Sequence, residues 1–136
     1  MVALTEAPTA PMQREFPGLA EQVPAARAWV LACLPSGCPR AADVALVLTE
    51  LVTNAVIHSA SGAPGGSFRV QVEVTPGAVT LAVIDQGPAL VPVPREPDES
   101  GWGLACIVGD LADGYEVIDD SAGRTVWCLL EWSPAP

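Results

Sequence analysis

Apolar positions along the chain follow two periods. In TELVTNAVIHS, residues 49–59, Glu50, Asn54 and His58 fall four apart, while Leu51, Val52, Ala55, Val56 and Ile57 fill the intervening positions. Side chains spaced by four share a helix face, so the pattern predicts an apolar helix from Ala41 to about Ser59 that carries a polar stripe. It ends in SASGAPGGS, a Gly/Ser/Pro loop. Upstream, Leu19, Val23, Ala26, Trp29 or Val30, and Leu34 keep helical spacing over Gly18–Leu34, and PSGCP closes that segment. Pro24 belongs in the first turn of this helix or at its true start, because its ring is not tolerated deeper.

The period then changes to two. SFRVQVEV sets Phe68, Val70, Val72 and Val74 against Arg69, Gln71 and Glu73, the mark of a half-buried strand. TPGA supplies a tight turn and AVTLAVID the returning arm of a hairpin. QGPALVPVPREPDES, too long for a minimal connection and too polar at its end for a core, reads as a flap. GLACIVGDLAD returns to helical spacing, YEVID is a strand, DSAG a turn, and RTVWCLLEW a last strand of mixed alternation. The order predicts an α+β fold, a two-layer sandwich with helices covering one face of a mixed, mostly antiparallel sheet. Residues 1–13 read as a tail without periodicity, Arg14–Phe16 as a short edge strand, and 14–133 as one domain, which suits a chain of 136 residues.

Charge narrows the function. The net charge is −10, with 16 acidic residues, six arginines and no lysine, so nucleic acid and anionic membrane are repelled. The N-terminus lacks a basic stretch followed by an apolar one, and no uninterrupted apolar run approaches the roughly 18 residues of a membrane span, so a soluble, cytoplasmic protein is expected. Cys33, Cys38, Cys106 and Cys128 lack paired C-x-x-C spacing and sit in or beside apolar segments, as reduced, partly buried thiols would.

Most familiar sites are absent from the sequence. A Walker A loop needs a lysine, and Gly101, Gly103 and Gly109 do not satisfy G-x-G-x-x-G because Cys106 takes the third place. His58 is the single histidine, around which any hydrolytic triad would have to be built. What remains is E-x-x-x-N on an apolar helix, D-x-G at a strand end, and G-x-G-L opening a helix. Taken singly, each has an ordinary reading: a solvated stripe, a strand-end turn, a helix start behind a loop.

In this order and spacing, TELVTNAVIH, VIDQGP and SGWGLACIV, with AARAWV upstream and GRTVW downstream, resemble the anti-sigma-factor serine/threonine kinase branch of the GHKL ATPase/kinase superfamily, which has the Bergerat ATP-binding fold. The resemblance covers about residues 15–132. It implies ATP and Mg2+ as cofactors, Glu50 as general base and Asn54 as magnesium ligand. It further implies that Asp85 accepts from the adenine amino group beside Gly87, and that Gly101, Gly103 and the helix from Leu104 wrap the phosphates. Thr125 is then a strand threonine assisting adenine binding, and Arg95 is the nearest flap cation for the phosphates. Implied partners are a sigma factor or an anti-sigma-factor antagonist, with homodimerisation and without direct nucleic-acid contact.

Two alternatives stay open, the first of them because of departures from the family pattern. Ala89 stands where a second glycine is common, Glu99 where relatives often carry a basic residue, and Trp102 where the side chain is frequently flexible. These motivate an interaction module of the same fold with little or no catalysis. A detached ATP-binding domain of the histidine-kinase type is the other alternative. His58 continues the polar line but falls at the helix end, where the dipole favours a partly charged imidazole.

Overall fold

Alternating apolar side chains build one sheet. The computed structural model describes residues 11–87, 108–121 and 123–132. Its strands are β1 (Met12–Pro17), β2 (Ser67–Thr75), β3 (Ala78–Asp85), β4 (Gly114–Asp120) and β5 (Gly123–Glu131), in the spatial order β1-β2-β3-β5-β4. Every pairing among these strands is antiparallel, where the sequence suggested a mixed, mostly antiparallel sheet. The register aligns Val70 with Val83 and Val83 with Val126, and in the next row Val72 with Leu81 and Leu81 with Cys128. All six are buried, which identifies the face turned toward the helices.

Two helices cover that face. A 3-10 turn at Ala20–Gln22 leads into α1 (Val23–Cys33), and Pro24 occupies its first turn, where the missing N–H has no intrahelical partner to lose. The second helix, α2 (Ala41–His58), buries Val44, Val47, Leu48, Leu51, Val52 and Ala55 as one stripe. These join Ala26 and Val30 of α1 and the inner residues of β2, β3 and β5 in a single core. The two-layer α+β sandwich expected from the sequence is therefore present. By length and composition alone, α2 resembles a membrane span, at 18 residues with mean hydropathy 1.4, a match that scanning for uninterrupted apolar runs misses. Its apolar stripe is used against the sheet.

One boundary shifts from expectation. The edge strand takes in Met12 and Gln13, assigned above to the tail, because Met12 pairs with Val72 and Gln13 with Gln71. Its anchor is Phe16, which stacks on Phe68 at 5.5 Å between centroids and meets Trp29 edge-on at 6.1 Å. The expected third helix is described only at its end, as α3 (Gly109–Leu111).

Candidate functional site

The helix that carries Glu50 and Asn54 is tied down at both ends. At its start, Arg40 donates to Asp43 at 3.1 Å, to Asp113 at 2.8 Å, and to the backbone oxygens of Glu131 and Leu111. One guanidinium thus joins the entry of α2 to the ends of α3 and β5. At the other end, the Ser59 hydroxyl donates to the Ala55 carbonyl at 2.6 Å and accepts from the Ser61 N–H at 3.0 Å. The Ser61 hydroxyl in turn accepts from the Gln86 N–H at 2.9 Å, and the Ala60 N–H donates to the Gly87 carbonyl at 2.8 Å. These bonds stitch the end of α2 to the Asp85–Gly87 turn.

Glu50, Asn54 and His58 lie on the half-buried flank of α2, beside its buried stripe. Asn54 stands out because its Nδ2 is fully buried and makes no hydrogen bond. An unpaired buried amide N–H costs about 1–3 kcal/mol, which a helix this apolar does not need for packing. An amide oxygen is a hard donor of the kind magnesium accepts, so Asn54 fits a magnesium ligand. Among the described residues no cluster of three or more His, Cys, Asp or Glu is gathered for a metal. Magnesium here would therefore take most of its oxygens from phosphate and water. Glu50, one turn earlier on the same flank, supplies a carboxylate.

Asp85 ends β3 on the inner face, two positions past the buried Val83. Burial raises its carboxyl above the ordinary carboxylate range, while the Gly87 N–H, which donates to Oδ1 at 2.7 Å, and the charge of Arg124 pull it back. Gly87 has φ +84°, a conformation that side chains with a Cβ rarely adopt. The D-x-G pattern is thus at once a strand-end turn and a device that presents a half-buried carboxylate beside α2.

Thr125 is not brought to this site. It pairs with Ile84, and since Val126 is the buried neighbour of Val83, Thr125 faces the opposite side of the sheet from Asp85. There it lines a small cavity with Gln71, Ile84 and Trp127. The residue on the inner face opposite Asp85 is Arg124. Gly101, Gly103, Leu104 and Arg95, the flap from Pro88 to Ser100, and Ala89, Glu99 and Trp102 all lie outside the described residues. A groove of about 740 Å³ runs along Phe16, Leu19, Pro64 and Ser67 and contains none of the expected site residues.

The sequence reading missed Arg40, Ser59, Ser61 and Arg124. The two serines appear in it only as loop composition. Full burial of Ser61 is what reveals its role.

Comparisons with known proteins agree with the fold. The family described as "Histidine kinase-like ATPase domain" matches residues 16–129. Curated relatives include anti-sigma F factors of two Clostridium botulinum strains, each 32% identical over 53 residues, 39% of this chain and 37% of theirs. The anti-sigma F factor of Clostridium beijerinckii is 38% identical over 45 residues, 33% of this chain and 32% of its own. The matched stretches thus span about a third of the length of these relatives. Among solved structures, the RsbU and RsbW domains of Rv1364c from Mycobacterium tuberculosis superpose with a TM-score of 0.69 at 24% identity, covering 95% of this chain and 34% of that one. That similarity speaks for the fold.

Proposed function

The chain belongs to the histidine kinase-like ATPase domain family, and from that premise we propose that it is an ATP-dependent serine/threonine protein kinase acting as an anti-sigma regulator in the cytoplasm. Its partners are a sigma factor, an anti-sigma-factor antagonist, or both, engaged by a homodimer. The observation that carries the nucleotide reading is Asn54, whose amide nitrogen Nδ2 is buried without a hydrogen bond, on the helix whose end is bonded to the Asp85–Gly87 turn. The relatives named anti-sigma F factor support the regulatory part.

In this mechanism Asp85 accepts from the amino group of adenine, and Gly87 lets the backbone approach the base. Asn54 holds magnesium through its amide oxygen. When bound, magnesium neutralises phosphate charge, which matters in a chain with no lysine. Glu50 takes the proton of the attacking serine or threonine hydroxyl. Both ends of α2 are fixed by hydrogen bonds, so Glu50 and Asn54 keep constant positions relative to the base-binding turn. Gly101, Gly103, Leu104 and Arg95 are the candidates for the phosphates.

Calorimetry with ATP and magnesium on the native protein and on Asn54→Ala tests the site. Magnesium-dependent binding lost in the variant supports it. Absence of binding at millimolar ATP removes the kinase reading and leaves a binding module. Transfer of labelled phosphate to a co-purified partner then separates acid-stable phosphoserine from the acid-labile phosphohistidine of a histidine-kinase domain.

A further inference from the structure

We propose that Arg124 is a second base-recognition residue, whose guanidinium donates to ring nitrogen N1 of adenine while Asp85 accepts from the neighbouring amino group. The inference rests on the ATP-binding reading above and adds to it a specificity determinant.

Strand register carries the argument. In the antiparallel pair β3–β5, Val83 faces Val126 and Asp85 faces Arg124. Both valines are buried under the helices. Side chains alternate along a strand, so Asp85 and Arg124, each two positions away, lie on that same inner face and are direct cross-strand neighbours, with Cβ atoms roughly 4.5–5.5 Å apart. Thr125, displaced by one position, is excluded from this face.

Arg124 is also held in place. On its other side β4 sets Asp119 opposite it, and the Asp119 carboxylate accepts from Nε at 2.8 Å. Among the described residues Asp119 is the only side chain that pairs with this guanidinium, so both Nη groups are left to donate elsewhere. The arrangement is a row of acceptor, donor and acceptor across three strands, with the donor beside the base-binding carboxylate. Its positive charge also helps keep Asp85 ionised against the effect of burial.

The chemistry of adenine matches this order. Its edge presents an amino donor at position 6 next to a lone-pair acceptor at N1. A carboxylate alone satisfies the first and leaves the second unpaired, since an ionised Asp only accepts. Arg124 completes the pair with a group that only donates. Guanine in the same pose turns a carbonyl toward Asp85 and an N–H toward Arg124, so both contacts become repulsive. The pair therefore discriminates by mismatch as well as by attraction.

The test compares ATP with 1-deaza-ATP, which lacks the N1 acceptor, by calorimetry with magnesium. The native protein is expected to bind the analogue about tenfold or more weakly, and Arg124→Ala to bind the two alike. Arg124→Gln, which keeps a neutral donor, is expected to fall between them. Equal binding of both nucleotides by the native protein overturns the inference without any variant. Undiminished discrimination in folded Arg124→Ala overturns it as well, because another group then reads N1. A purely structural Arg124 would change both affinities together and leave their ratio intact. If Asn54-dependent ATP binding is present without N1 discrimination, only this inference fails; if ATP does not bind at all, the nucleotide reading fails with it.

Discussion

The Ser61 hydroxyl accepts a hydrogen bond from the Gln86 N–H at 2.9 Å, joining the turn after α2 to the residue after Asp85 across 25 positions of sequence. Ser61 is fully buried, while Gln86 is exposed and the bond between them part-buried. Ser61→Ala is expected to lower stability by about 0.5–1.5 kcal/mol, the net contribution of one hydrogen bond. It is also expected to weaken ATP binding, because Asp85 is no longer fixed relative to Asn54. Urea unfolding and calorimetry on the same variant check both, and unchanged affinity in a destabilised variant would remove the positioning role.

Asp85 gives a pH dependence with a definite sign. Burial raises its carboxyl above 3.8, its value in an unfolded chain, so the native state holds this proton more tightly. Stability therefore falls as pH rises through the range above 3.8 and levels off once Asp85 is ionised in both states. Asp85→Asn keeps an oxygen for the Gly87 N–H without the buried charge. The variant is expected to unfold at higher urea than the native protein at pH 7, with the difference closing as pH approaches 3.8. Its ATP affinity is expected to fall about tenfold or more, since the charged acceptor is gone. Unfolding curves at a series of pH values, with ATP titrations at pH 7, decide it.

How far the site can be read from sequence depends on the range of the interactions. The helix α2 is legible because its apolar spacing is local and unbroken, and with it come Glu50 and Asn54. Strand parity at β5 is not, because RTVWCLLEW has apolar residues on both faces and its inner set, Val126, Cys128 and Leu130, emerges only from pairing with β3. That ambiguity hides which of Arg124 and Thr125 shares a face with Asp85: the family resemblance pointed to Thr125, and the register turns Thr125 to the opposite face. Arg40 and Ser61 were invisible for a different reason. Apart from Asp43, the partners of their side chains that define their roles lie 25 to 91 residues away, and no local pattern encodes such distances.

Arg40 predicts a geometric requirement rather than a charge requirement. Its planar fork reaches Asp43, Asp113 and two backbone oxygens at once, and only 19% of its side chain is exposed. Arg40→Ala is expected to cost about 2–3 kcal/mol, more than a surface ion pair, because charge-assisted bonds to the ends of α3 and β5 are lost together. Arg40→Lys is expected to recover little, since a single ammonium cannot span four acceptors in that geometry. Thermal or urea unfolding of the two variants checks this, and full recovery by lysine would show that charge alone suffices.

Cys128 tests the packing of the sheet under α2. Its side chain lies between Leu81 and Tyr115 in the register, it is 1% exposed, and burial pushes its thiol up to about 12. At pH 8 roughly one molecule in ten thousand then carries the reactive thiolate at this position. Alkylation of the native protein is therefore expected to spare Cys128, with modification appearing only after unfolding, as peptide mapping by mass spectrometry would record. The same environment makes Cys128→Ser costlier than Cys128→Ala, because a hydroxyl in this apolar row adds an unsatisfied polar group to the small loss of volume. If serine proved the milder change, the thiol would have to sit beside a polar partner, contrary to the packing of β3 and β5 that orients Asp85 and Arg124.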